Sequence, residues 1–193
     1  MTADLERLAR DAGRDLEDAS PQEVLRWTEQ HFGDRWVVAS SMQDAVLIDL
    51  AVQVRSDVRV LFLDTGYHFA ETLGVRDAVA VRYPGLRLVN AVPERTVAEQ
   101  DEAEGPRLYE RDPDRCCHLR KVVPLRRYLD GFGAWVTGLR RVDAPSRAGT
   151  PVVTWDERHR LVKVNPIAGW SDGRFEEYVA AHDVLVNLLI GEG

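Results

Sequence analysis

Trp36-Val37-Val38-Ala39-Ser40-Ser41-Met42-Gln43-Asp44 opens with an apolar run that stops in small polar residues, and helical spacing then runs from Ala45 to Val54. That is strand, turn, helix. The unit repeats: Val58 to Leu63 reads as a buried strand ending in Asp64-Thr65-Gly66, and Phe69 to about Val81 carries the next helix. Leu86 to Val92 supplies a third strand, and Ala134 to Thr137 a fourth that enters Gly138-Leu139-Arg140-Arg141. Strands alternating with helices predict an α/β fold, a mostly parallel twisted sheet with helices on both faces. Ligands of such sheets sit at the carboxyl ends of the strands, which here carry Ser40-Ser41, Asp64-Thr65-Gly66 and Arg140-Arg141.

Toward the N-terminus, Ser20-Pro21-Gln22-Glu23 is a capping box with proline at the first helical position. The first helix is placed there, running to about Phe32 and ending at Gly33, so residues 1–34 form an N-terminal helical segment. Toward the C-terminus, Pro151 to Thr154 and Leu161 to Val164 flank a charged stretch and predict a hairpin or two further strands, and Ser171 caps a last helix through about Ala181. At 193 residues, 45% hydrophobic, the chain can bury one core and does not need two, so residues 1–193 read as a single domain. The start has no apolar signal region, and no stretch approaches the roughly eighteen apolar residues of a membrane span. The expectation is a soluble, cytoplasmic protein without a membrane partner. A net charge of −7 argues against nucleic acid as partner and makes the arginines interesting by position rather than number.

Ser40 to Asp44 links a strand to a helix, so hydroxyls and free N–H groups could hold an anion there; taken alone, the segment reads first as an ordinary N-cap. It lacks the glycines and lysine of a P-loop. Asp64, Thr65 and Gly66 stand where they could bond a ribose or a base edge, or could simply make the turn. Arg140, Arg141 and Arg147 place three guanidinium forks in one loop, a candidate clamp for phosphate or sulfate.

The two cysteines are adjacent, Cys116-Cys117, which excludes a disulfide scaffold: neighbouring Cα atoms are about 3.8 Å apart, below the roughly 4.4–6.8 Å of an ordinary bridge. Asp112 can cap a helix with Pro113 in its first turn, setting both thiols near the positive helix end with Arg115, His118, Arg120 and Lys121. Cys116 and Arg120, like Cys117 and Lys121, are four apart and share faces. Thiolates in that setting suit a metal or nucleophilic attack. Zinc and iron–sulfur sites normally take four ligands, and two cysteines complete neither. His31, His159 and His182 read as surface residues.

Taken together, these segments resemble the sulfonucleotide reductases of assimilatory sulfate reduction, specifically the cluster-containing adenylyl-sulfate type. The matching stretches are Ser40 to Leu47, Leu63 to Phe69, Glu94 to Gln100, Cys116 to Leu125, Gly138 to Arg147 and Lys163-Val164-Asn165-Pro166. The resemblance implies an adenine nucleotide alpha hydrolase-like fold of the PP-loop type. It also implies a reaction in which a cysteine thiolate attacks adenosine 5′-phosphosulfate, expels AMP and leaves an S-sulfocysteine that thioredoxin releases as sulfite. By the same resemblance Ser40 and Ser41 hold the phosphate side, Asp64, Thr65 and Gly66 the nucleoside, and Arg140, Arg141 and Arg147 the phosphosulfate. Cys116 and Cys117 would bind a 4Fe-4S cluster, with Lys121 linking cluster to substrate, and the paired cysteines favour adenylyl sulfate over its 3′-phosphorylated form.

Family members continue into a Cys-x-x-Cys pair and a tail bearing the nucleophilic cysteine, whereas this sequence runs Leu188-Leu189-Ile190-Gly191-Glu192-Gly193. The expectation is a reductase truncated at its C-terminus, so that no catalytic cysteine is named here. A pseudoenzyme that binds adenylyl sulfate or AMP is the alternative. A ligase of the related pyrophosphatase fold would want Ser-Gly-Gly-x-Asp-Ser, which Ser40 to Asp44 does not supply.

Overall fold

A computed structural model of the chain describes residues 2–189. Residues 190–193, on which part of the expected departure from the family pattern rests, lie outside the described residues. Two helices come first, α1 (Thr2–Asp15) and α2 (Pro21–Phe32). The capping box is formed: Ser20 Oγ accepts the Glu23 N–H at 3.3 Å, and the Glu23 carboxylate accepts the Ser20 N–H at 2.7 Å. α1 corrects the reading that began the helices at Ser20. Its Leu5, Leu8, Ala9 and Ala12 recur at three- and four-residue intervals and form a stripe that joins the core.

The chain then alternates through β1 (Trp36–Ser40), α3 (Val46–Val54), β2 (Arg59–Leu63), α4 (Ala70–Arg82) and β3 (Arg87–Ala91). Short helices follow, α5 (Val97–Glu104), α6 (Leu108–Arg111) and α7 (Pro113–Cys117), and a π turn over His118–Val122 leads into α8 (Val123–Leu129). The last elements are β4 (Ala134–Thr137), β5 (Val153–Asp156), β6 (Leu161–Val164) and α9 (Asp172–His182).

Six strands form one sheet in the order β3-β2-β1-β4-β6-β5. Every neighbouring pair is parallel except β5 with β6, so the predicted hairpin is present and β6 is also the parallel neighbour of β4. The chain builds outward from β1 to β3, then returns and lays β4 on the other flank of β1. That reversal opens a crevice beyond the carboxyl ends of β1 and β4.

Strand alternation splits the core. Trp36, Val38, Val60, Phe62, Val136, Val162 and Val164 face one side with residues of α1, α2, α3 and α9, whereas Val37, Leu61 and Leu161 face the other with Leu125, Tyr128 and Leu129. Helices thus cover both faces, unequally. On the larger side Asp49 of α3 accepts the Tyr83 hydroxyl at 2.9 Å and the Tyr178 hydroxyl at 2.7 Å, which satisfies its carboxylate and ties α3 to the end of α4 and to α9. Among the described residues no helix is long and apolar enough to cross a membrane.

Candidate active site

β1 ends at Ser40 and α3 starts only at Val46, so neither serine caps the helix; Asp44 Oδ1 takes the Val46 N–H at 2.9 Å instead. Ser40 Oγ accepts the Met42 N–H at 3.2 Å. Met42, fully buried, has φ of 58°, a left-handed conformation that costs a non-glycine residue energy. The segment after α9 holds it there. The Asn187 N–H donates to Gln43 O at 2.8 Å and the Ala45 N–H to Leu185 O at 2.9 Å, while the buried Asn187 amide reaches Met42 O at 3.4 Å and Thr72 Oγ1 at 3.1 Å. Burial pushes the Asp44 carboxyl above its ordinary value, against the Val46 N–H and the Arg140 charge.

Ser40, Ser41, Asp44, Thr137, Asp143 and Arg147 line a cavity of about 360 Å³ between the ends of β1 and β4. The three-arginine clamp expected from the sequence is not assembled around it. Arg140 lies 2.9 Å from Asp143 and 2.9 Å from Asp172, with its guanidinium 4.7 Å from the Phe175 ring centre, which fastens the loop to α9. Arg141 pairs with Glu17 at 2.5 Å and donates to Thr150 O at 2.9 Å. Only Arg147 reaches the cavity, and it stands 3.2 Å from Asp143.

At the end of β2, Asp64 makes the turn: its Oδ1 accepts the Gly66 N–H at 3.0 Å, and its Oδ2 lies 3.7 Å from Arg76. Gly66 has φ of 76°, and a Cβ there would stand 3.1 Å from Arg120 Nη2, so the position calls for glycine on two counts. Asp112 caps α7 as read, accepting the Arg115 N–H at 2.9 Å. Pro124 cannot donate to the carbonyl four residues before it, and just ahead of it the chain widens into the π turn, where the Val123 N–H bonds His118 O.

Cys116 is buried and Cys117 exposed, and both line a second cavity of about 610 Å³ with Thr65, Tyr67, Arg120 and Lys121. Of the four basic neighbours in sequence, Arg120 and Lys121 belong to this cavity. Arg115 is bound to Glu104 at 2.9 Å, and His118 lines a separate groove. Arg120, 3% exposed, donates to Thr65 O, to Gln100 Oε1 at 2.9 Å and to Arg95 O at 3.3 Å, all neutral acceptors. Its charge has no carboxylate partner among the described residues. The cysteine pair supplies two thiols, half of a four-cysteine donor set, and the described residues hold no group of three or more His, Cys, Asp or Glu able to bind a metal. They do not complete a cluster by themselves.

The family model that matches residues 35–193 is the phosphoadenosine phosphosulfate reductase domain. The chain belongs to this family. Among its relatives, the adenosine 5′-phosphosulfate reductase of Mycolicibacterium smegmatis is 57% identical over 190 residues, covering 98% of this chain and 80% of that protein. The enzyme of the same name from Mycobacterium tuberculosis is 52% identical over 206 residues, covering 98% of this chain and 81% of its own length. In structure, the phosphoadenylyl-sulfate reductase of Candida auris, solved as a phosphate complex, superposes with a TM-score of 0.81 at 27% identity, covering 94% of this chain and 89% of that one. Family and α/β fold are those the resemblance implied, and membership makes the chain an oxidoreductase.

The sequence reading passed over Asp44, Arg120, Lys163 and Asn187 as site residues. Lys163 carried a signal, a charge between Val162 and Val164 in an otherwise apolar strand; Asn187 carried none, because its partners Met42 and Thr72 are distant in sequence.

Proposed function

We propose that this chain binds adenosine 5′-phosphosulfate along the carboxyl edge of β1, β2 and β4 and serves its reduction to sulfite and AMP in the cytoplasm, for assimilatory sulfate reduction and cysteine biosynthesis. One observation carries the reading: the Ser40–Asp44 loop, Thr65 and the Cys116–Cys117 pair with Lys121 line cavities at neighbouring strand ends, beside the point where sheet order reverses. Ser40, Ser41 and Arg147 face the phosphate side, and Thr65 and Gly66 the nucleoside. Lys121 brings positive charge between substrate and cysteines. Asp64, Arg140 and Arg141 act by shaping and bracing the loops that carry these groups. The names of the mycobacterial relatives favour the unphosphorylated nucleotide.

In the reaction a cysteine thiolate attacks the sulfur atom. A new S–S bond forms, the S–O bond breaks, and AMP leaves with the electron pair. A dithiol, here thioredoxin, then releases sulfite from the S-sulfocysteine and is itself oxidised to a disulfide. Cys116 and Cys117 are assigned as two ligands of a 4Fe-4S cluster. They are the two cysteines of the sequence, so these 193 residues contribute binding and charge rather than the attacking thiol. Within these residues the two cavities also support a second reading, nucleotide binding without turnover.

Calorimetry and a sulfite assay test both. The anaerobically purified chain is expected to bind adenosine 5′-phosphosulfate and AMP and to make no sulfite with thioredoxin. Sustained sulfite release would show that Cys116 or Cys117 is the nucleophile, and absence of nucleotide binding would end the proposal.

A further inference from the structure

Of the stretch Lys163-Val164-Asn165-Pro166, three residues are accounted for by the fold. Val164 is buried in the core, and Pro166 is buried at the end of β6. Asn165, fully buried, accepts the Thr137 hydroxyl at 2.6 Å and donates its amide to Pro151 O at 3.0 Å, pinning β6 to β4 and to the segment before β5. Lys163 is left over. Strand alternation turns it away from Val162 and Val164, beside its register partner Trp135, and it lines the cavity of about 360 Å³ with Ser40, Ser41 and Arg147.

Its setting is that of a cation waiting for an anion. The ammonium lies 5.1 Å from the Trp135 ring centre, a contact that fixes its direction, and it forms no ion pair with a carboxylate among the described residues. Arg147, lining the same cavity, is a second positive charge, paired with Asp143 at 3.2 Å, and Asp44 lies on the same lining. Burial lowers the Lys163 pKa, against the attraction of Asp156. Composition points the same way. Of 25 basic Lys and Arg residues two are lysine, Lys121 and Lys163, and each lines one of the two cavities of the site. A chain that uses arginine elsewhere places its compact point charges here.

We infer that Lys163 is a substrate-binding residue that holds the phosphate of the nucleotide in the cavity between β1 and β4. The inference rests on the functional reading above and goes beyond it by naming the residue that grips the anion. The bland alternative is that Lys163 merely lays its stem over Trp135.

Calorimetry with AMP, adenosine 5′-phosphosulfate and uncharged adenosine separates the two. Lys163→Met is expected to weaken AMP and adenosine 5′-phosphosulfate by about ten- to a hundredfold, the loss of one charge-assisted contact, and to leave adenosine binding unchanged. Lys163→Arg, which keeps the charge, is expected to lose less. In the wild-type chain AMP should protect Lys163 from reductive methylation while adenosine does not, a readout by peptide mass spectrometry that does not depend on a variant folding. If Lys163→Met binds AMP like wild type, or Lys163 is methylated equally with and without AMP, the inference fails while the functional reading stands. If the wild-type chain binds neither nucleotide, both fail.

Discussion

Arg120 and Arg140 are largely buried guanidiniums at the same edge of the sheet, and they do opposite things. Arg140, in the loop after β4, meets two carboxylates, Asp143 and Asp172, and its charge is cancelled where it stands. Arg120, on the π turn after the cysteines, meets the carbonyls of Thr65 and Arg95 and the amide oxygen of Gln100, so its hydrogen bonds are satisfied while its charge is not. A neutralised arginine is a brace. An arginine held by neutral acceptors braces equally well and still projects a field into the cavity where Cys116, Cys117 and Lys121 lie. Counting guanidiniums along the sequence cannot separate the two cases.

Replacing Arg120 should break the comparison most sharply. Arg120→Met leaves three buried oxygens without a donor and is expected to destabilise the chain by about 3 kcal/mol, read as a lowered urea midpoint at unchanged slope. A midpoint within experimental error of wild type would mean that Arg120 does not hold the Thr65–Gly66 turn. A smaller effect of opposite sign is expected on the other side. Asp143→Asn removes the carboxylate that occupies Arg147 and lines the cavity, so AMP affinity should rise about two- to fivefold in calorimetry. Weaker binding would show that the Asp143 contact to the Arg140 N–H, 3.1 Å long, matters more than its charge. The smallest change is expected from Arg141→Lys, which keeps the charge near Glu17 and disturbs the bond to Thr150 O. It should lower stability by less than about 1 kcal/mol and leave AMP affinity unchanged, whereas a tenfold loss of affinity would return Arg141 to the anion site.

Much of the scaffold was legible because its signals are local. The capping box at Ser20, the Asp112-Pro113 helix start and the strand runs at β2, β4 and β6 each depend on neighbours within a few residues, and each lies where periodicity or capping chemistry puts it. α1 was passed over although its Leu5, Leu8, Ala9 and Ala12 carry the helical period. The candidate site was legible in part. Ser40, Ser41, Thr65, Cys116, Cys117, Lys121 and Arg147 all line the two cavities, the serines and Thr65 because they stand at the ends of parallel strands and the cysteines because they ride on the short helix that Asp112 caps. Asp64, Arg140 and Arg141 are close by but engaged elsewhere.

By itself, then, the sequence determined the strand–helix alternation, the family and the edge of the sheet that bears the site, because these follow from hydrophobic period and turn chemistry read over short windows. Tertiary structure alone decided which cations are free. Glu17 cancels Arg141 across 124 residues, Asp172 cancels Arg140 across 32, and Asn187 braces the Met42 turn across 145. Whether a charge is spent or available depends on what folding brings within about 4 Å of it, and no local pattern encodes that.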